Sequence, residues 1–92
     1  MSMKRNMELA KELLEIIVTE DNGGNGLYRS EIHAVFAERY PHTAPVHVDA
    51  VNYHLHILDT AGLVKATYDE DVNLDLDNFE MTWAGHDLLD AK

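Results

Sequence analysis

The residues of this chain whose spacing comes closest to a chemical site are acidic. Oxygen-bearing side chains stand at positions 1, 3, 5, 7, 9 and 12 of a calcium-binding loop of the EF-hand type, and they are Asp69, Asp71, Asn73, Asp75, Asp77 and Glu80. The sixth position of that loop needs glycine for a sharp turn, and here it is Leu74. The preceding residues 64–68 are strand formers. We therefore expect no EF-hand, and the alternation of residues 72–77 favours a strand with its carboxylates in solvent.

The histidines do not follow a metal-binding pattern. His54 and His56 are two residues apart on a predicted helix, so they point to different faces and cannot easily share an ion. The chain also lacks the His-Glu-x-x-His spacing of zinc enzymes. We interpret these histidines as packed or solvated side chains, and we expect neither a metal nor another cofactor.

The chain also lacks the sequence motifs of nucleophilic catalysis and of phosphate-binding loops. The absence of cysteine excludes disulfides, thiolate zinc sites and thiol nucleophiles. Ser30 has none of the glycines of a nucleophile elbow. The glycine-rich residues 23–26 are not followed by the Lys-Ser/Thr pair of a phosphate-binding loop. We expect a protein that is not an enzyme.

Acidic residues dominate the charge of the chain. There are 17 Asp and Glu against seven Lys and Arg, which makes the formal net charge −10. Residues 69–80 contain no base, whereas Lys4, Arg5 and Lys11 stand near the start. Because a duplex phosphate backbone would repel this domain, the charge disfavours DNA as a partner.

The length of 92 residues fits one domain over residues 1–92. The longest apolar stretch, residues 13–18, is interrupted by Glu15 and is far shorter than the ~20 residues of a membrane span. We expect a cytoplasmic protein without a membrane segment.

The apolar spacing predicts the elements that must position any site. Helices are expected over residues 6–20, from an N-cap at Ser30 to Tyr40, over 46–61 after the two prolines, and after an N-cap at Thr82. A short strand is expected at residues 27–28, and strands 63–68 and 72–77 should form a hairpin. The predicted core consists of Leu13, Ile17, Ile32, Phe36, Val51, Leu55, Leu58, Leu63 and Trp83.

This order predicts an α+β, single winged-helix domain with a three-helix core, a two-stranded β-hairpin wing and a C-terminal helix. Residues 53–64, which include Ala61-Gly62-Leu63, resemble the third helix and first wing strand of winged-helix regulators. Residues 81–89 resemble the segment that leaves the wing and opens the closing helix.

A narrower resemblance covers nearly the whole chain. Residues 3–7, 53–55 and 82–90, the last of which open with Thr-Trp-Ala-Gly-His, resemble an uncharacterised family of small bacterial and prophage proteins. The resemblance implies a winged-helix fold and brings no known activity.

We therefore expect a non-enzymatic binding module that engages a protein partner in a bacterial or phage regulatory context. Its predicted contact surface combines the exposed face of the third helix with the acidic hairpin: Asn52, His56, Asp59, Asp69, Glu70, Asp71, Asp75 and Asp77.

Two alternatives stay open. The first is a DNA-binding regulator that acts as a homodimer, although residues 46–61 carry no Lys or Arg. Its contacts would be Lys4, Arg5, Arg29, Arg39 and Asn52. The second is an inhibitor whose carboxylates imitate DNA phosphates toward a host nucleic-acid enzyme.

Overall fold

The first helix follows directly from its sequence pattern. α1 (Met7–Glu20) begins after Asn6, whose side chain accepts hydrogen bonds from the backbone N–H groups of Glu8 and Leu9 at 3.0 and 3.2 Å. This is how an N-cap satisfies the free donors of a first turn. Leucines and isoleucines at three- and four-residue spacing are buried along one face of α1.

The computed structural model describes residues 4–42 and 44–91, with side chains for 4–42 and 47–91. After α1 come β1 (Leu27–Tyr28), α2 (Arg29–Arg39), α3 (Ala44–Thr60), β2 (Val64–Thr67), a 3-10 turn (Leu74–Leu76), β3 (Asn78–Met81) and α4 (Trp83–Asp90). The protein is α+β, as predicted, and the four helices and antiparallel sheet are compatible with a small winged-helix domain.

Two predicted helix starts are wrong by a few residues. α2 begins directly after β1, so Ser30 lies inside its first turn, and Tyr28 holds the N-cap position with its N–H donating to the Glu31 carboxylate at 3.0 Å. α3 includes Pro45, which was expected before the helix. Proline is tolerated there because a first-turn residue needs no N–H donor. The end of α3 is as predicted, since Gly62 has a φ of +76° just beyond it.

The sheet differs from the prediction in its second long strand. β3 is the central strand and pairs antiparallel with both neighbours, with Leu27 and Ala66 opposite Phe79. Residues 72–77 were expected to be this strand, but they belong to the loop before it. Their apolar members do not face inward: Val72, Leu74 and Leu76 are 80%, 57% and 46% exposed. Residues 71–76 are all exposed and Asp77 alone of this run is buried, so the segment has no inner and outer face.

The core forms between α1, α2, α3 and the inner face of the sheet, and most predicted members are confirmed. Leu63 is partly buried, and Val48 and Tyr40, expected on the apolar faces of α3 and α2, are exposed. The prediction for Trp83 is wrong, because its side chain is 85% exposed. The buried core residues are Ala10, Leu13, Leu14, Ile16, Ile17, Leu27, Ile32, Phe36, Val51, Leu55, Leu58, Val64 and Phe79.

Gly85 explains why Trp83 faces solvent. Thr82 caps α4 as predicted, and its hydroxyl accepts from the Gly85 N–H at 3.0 Å and donates to the Gly62 carbonyl at 2.7 Å. A Cβ at Gly85 would collide with the carbonyl oxygen of Leu63, so α4 approaches that backbone through its glycine. Residues two positions apart on a helix point to opposite sides. Trp83 is therefore directed away from the core.

A pair of substitutions on α4 tests this orientation. We expect Gly85→Ala to lower the free energy of unfolding by about 1–3 kcal/mol, because the added methyl forces the helix away from Leu63. Trp83→Ala should change it by less than about 0.5 kcal/mol, since little of that side chain is buried. Urea unfolding followed by circular dichroism measures both. A Trp83→Ala loss as large as that of Gly85→Ala would contradict the orientation.

Candidate functional site

The segment that joins β2 to β3 is an ordered acidic loop, residues 68–77. One carboxylate oxygen of Asp69 accepts from the backbone N–H groups of Asp71 and Asn73, at 3.1 Å each. The Asn73 side chain accepts from the Asp75 N–H at 3.1 Å and caps the 3-10 turn. Such side-chain-to-backbone bonds compete with strand formation. They hold residues 69–75 in a turn conformation in place of the predicted strand.

Arg29 and Asp77 anchor this loop to the helices. Their side chains form an ion pair at 3.0 Å, with the Arg29 side chain 11% and the Asp77 side chain 3% exposed. Arg29 also donates to the Leu74 carbonyl at 3.1 Å and to the Asn52 side chain at 2.9 Å. The second Asp77 oxygen accepts from the Asp69 N–H at 2.9 Å. Asp77 is the one buried side chain of residues 71–77, so a polar network and not an apolar side chain joins the loop to the helices.

Three predicted site residues are thus joined to one another. The sequence predicts Arg29 and Asn52 as DNA contacts, and Asn52 and Asp77 as partner contacts; the structure pairs all three. The Asn52 carbonyl oxygen also lies 2.8 Å from His33 Nε2. These groups lock α2, α3 and the acidic loop together.

Asp59 protects the edge of the sheet. Its carboxylate accepts from the Ala66 N–H of β2 at 3.3 Å and from the Tyr68 hydroxyl at 3.0 Å. β2 is an edge strand, and an uncovered edge donor could pair with another chain. Asp59 therefore has a role within the protein, whereas the predicted site residue His56 is exposed on α3.

The hydrogen bond between Tyr68 and Asp59 leads to a prediction about the pKa of Tyr68. Partial burial and the hydrogen bond to Asp59 both raise the pKa of Tyr68 above its ordinary value of 10.0. Its contribution to stability is present below pH ~10 and is lost as the pH rises through the folded-state pKa. We expect Asp59→Asn to lower the pKa of Tyr68 toward its ordinary value without reaching it, because the partial burial of Tyr68 remains. NMR titration of ring-labelled tyrosine measures this, and equal Tyr68 pKa values in both proteins would contradict the contact.

The predicted DNA-contacting cations do not converge. Arg39 pairs with Glu12 and Glu15 of α1 at 3.2 and 3.0 Å, which raises the pKa of Arg39 and lowers that of Glu15. Arg29 lies at the opposite end of α2, about 15 Å away along the helix. Lys4 and Arg5 are exposed before α1. Both α2 arginines are committed to carboxylates of the same chain.

The acidic loop exposes a set of apolar side chains that stand between carboxylates. Val72, Leu74 and Leu76 alternate there with exposed Asp71 and Asp75. Sequence reasoning missed this surface because it took the period-2 alternation for a strand with a buried apolar face, whereas these residues form a loop that exposes both sets of side chains. The run of Asp and Asn at residues 69–77 was the signal for turns, since these side chains bond to nearby backbone N–H groups.

The two histidines of α3 that are two residues apart lie in different environments. His54 is 2% exposed, with Nδ1 2.8 Å from the Ala50 carbonyl and Nε2 accepting from the Asn6 N–H at 2.9 Å. His56 faces solvent. Within residues 4–42 and 47–91, no group of three or more His, Asp or Glu is arranged to hold a metal ion. In the described part of the chain, no helix is long and apolar enough to cross a membrane.

Comparison with protein families identifies the family of this chain. A family model described as "Hypothetical protein (DUF2513)" matches residues 4–92. The chain belongs to this family. No curated protein and no solved structure matches it. The predicted membership of an uncharacterised family is confirmed, and the family description carries no activity.

The structure separates the roles of the residues in the Thr-Trp-Ala-Gly-His segment that suggested this family. Thr82 and Gly85 shape the junction between β3 and α4, through the cap and the close approach to Leu63. Trp83 and His86 are exposed. Two of the five residues of the segment, Thr82 and Gly85, are therefore explained by folding.

Proposed function

We propose that this protein is a non-enzymatic binding module whose acidic loop docks onto another protein. The observation that carries the proposal is the exposure of Val72, Leu74 and Leu76 on a loop held in place by Arg29 and Asp77. Grouped apolar side chains on an ordered surface are typical of protein-interaction sites. Binding to the phosphates of a nucleic acid would use none of these three apolar side chains.

The backbone of Val72 supports the same proposal. Val72 has a φ of +60°, a conformation that β-branched residues rarely adopt, and its side chain is 80% exposed. Glycine or asparagine would fit this turn at lower conformational cost. Residues in unfavourable backbone conformations cluster at functional sites, where the surrounding structure holds them. A role for the Val72 side chain outside this chain accounts for its presence.

The negative charge of the loop indicates the kind of surface that its partner would have. Its exposed carboxylates Glu70, Asp71 and Asp75 favour a surface with basic residues around an apolar patch, and would speed and orient the encounter. A second copy of this chain would bring the same negative charge, which favours a different protein over a homodimer. A bacterial or phage regulatory partner is the expectation from the family resemblance.

One stability measurement tests the Val72 argument. We expect Val72→Asn to raise the free energy of unfolding by about 0.5–1 kcal/mol, because asparagine adopts a positive φ more readily and no buried contact is lost. Chemical denaturation of the two proteins gives the difference. A loss of 1 kcal/mol or more would mean that the Val72 side chain is needed for folding.

Docking is tested by placing a photo-crosslinking amino acid at position 74, in cells that naturally encode the chain, with position 20 at the exposed end of α1 as the control. We expect a protein adduct from position 74 only. With that protein purified, Val72→Asn should weaken its Kd at least tenfold and Glu20→Gln less than twofold. Equal adducts from both positions, or a Kd indifferent to Val72→Asn, would overturn the proposal.

DNA binding is measured with the same proteins. Fluorescence anisotropy of a labelled duplex at low and near-physiological salt should show no saturable binding, given the net charge of −10. Saturable binding that weakens steeply with salt would favour the regulator alternative. Competition between the chain and DNA for the crosslinked protein would favour the DNA-mimic alternative.

A further inference from the structure

The outer face of the sheet forms the floor of a groove beside the acidic loop. Side chains of a strand alternate between the two faces, and Leu27 and Phe79 are buried on the inner one. Their neighbours Tyr28, Asn78 and Glu80 therefore lie on the outer face. Together with the loop they enclose a groove of about 500 Å³, lined among others by Tyr28, Tyr68, Asp69, Glu70, Leu76 and Glu80.

The lining of this groove is aromatic and anionic. Tyr28, which is about half exposed on the outer face, supplies a phenol ring. Tyr68 also lines the groove, but its hydroxyl is turned toward α3, where it donates to Asp59 at 3.0 Å. Asp69, Glu70 and Glu80 supply three carboxylates, and none of them forms an ion pair with a Lys, Arg or His of the described residues. Lys65 stands opposite Glu80 in the strand register and does not line the groove.

We infer that this groove receives an arginine side chain from a basic segment of the partner protein. A guanidinium group stacks on aromatic rings and bonds to carboxylates through its planar set of donors, so it matches both components of the lining. Leu76 belongs to the groove and to the exposed apolar set of the acidic loop, which makes the two surfaces continuous. The inference rests on the proposed function, because the docked protein supplies the arginine.

A capped glycine-arginine peptide with two arginines is the probe, and the same peptide with citrulline in place of arginine is its uncharged counterpart. Titrated into ¹⁵N-labelled protein, the arginine peptide should shift the amide resonances of residues 27–28, 67–70 and 78–80. The citrulline peptide should bind at least fivefold more weakly. Shifts scattered over acidic residues throughout the chain, or equal binding of both peptides, would overturn the inference.

Matched variants separate the groove from general charge attraction. Tyr28→Leu keeps an apolar side chain but removes the ring, and Glu80→Gln removes one charge while keeping the shape. We expect each to weaken peptide binding at least threefold. Asp90→Asn removes one charge from the exposed end of α4 and should have less than a 1.5-fold effect. The amide spectrum of each variant verifies its fold, and an Asp90→Asn effect equal to that of Glu80→Gln would contradict a specific groove.

The two proposals fail in different ways. If the crosslinked partner responds to Val72→Asn but not to Tyr28→Leu or Glu80→Gln, the groove inference is wrong and the docking proposal stands. If the peptide binds as expected but position 74 yields no specific adduct, the groove is real and docking by the apolar loop residues is wrong.

Discussion

Replacing Asp77 by alanine is expected to lower the free energy of unfolding by about 3–5 kcal/mol. Asp77 is buried, and its loss leaves the Arg29 guanidinium without its counter-charge in a site where that side chain is only 11% exposed. The Asp69 N–H loses its acceptor at the same time. Because small domains are stable by only about 5–15 kcal/mol, this change approaches global unfolding. Urea denaturation followed by circular dichroism measures it.

Asp75→Ala is the matched control, since Asp75 carries the same charge two residues earlier and faces solvent. It should change stability by less than about 0.5 kcal/mol. In the double variant Arg29→Met with Asp77→Ala, the total loss should be smaller than the sum of the single losses, because no unpaired charge remains. An Asp77→Ala loss below about 1 kcal/mol would contradict the buried pair.

Leu55→Ala is expected to cost about 2–5 kcal/mol. Leu55 lies at the centre of α3 with no exposed surface, in the buried core that also contains Leu13 and Ile17 of α1, so truncation leaves a cavity there. Thermal and urea unfolding measure the loss. The spacing of Val51, Leu55 and Leu58 predicts the buried side of α3, and all three are buried.

Val48→Ala on the same helix serves as the control for Leu55. Val48 continues the sequence stripe but is 42% exposed, so its truncation should cost much less than that of Leu55, about 0.5 kcal/mol. A Leu55→Ala loss well under 1 kcal/mol would mean that a different side of α3 is buried. A Val48→Ala loss similar to that of Leu55→Ala would mean that the buried stripe extends one turn further than the structure places it.

The candidate site was only partly predictable. The acidic character of the surface between β2 and β3 follows from composition, and Glu70, Asp71 and Asp75 are exposed there as expected. The apolar component was expected to be buried in a strand, and it is exposed in a loop. The loop is joined to the helices through Asp77, which is held by Arg29, 48 residues away in the chain. No local pattern contains that information.

Trp83 illustrates the same limit on α4. The large aromatic residue at the start of α4 was expected in the core, yet a glycine two positions later makes the close contact. Preference for burial is a property of the residue type, whereas the side of a short helix that faces the core is set by which backbone can approach most closely. On an eight-residue helix the choice rests on very few positions.

Local interactions were readable from the sequence alone. The left-handed glycine after α3, the cap at Thr82 and the apolar periodicity of α1 and α3 each involve residues within a few positions of one another, so the α+β order of elements follows from them. Tertiary structure decided the rest. The acidic loop, its exposed apolar side chains and the groove on the sheet depend on the Arg29–Asp77 ion pair and on the pairing of strands. These interactions join segments that are distant in the sequence, so they form only when the chain folds.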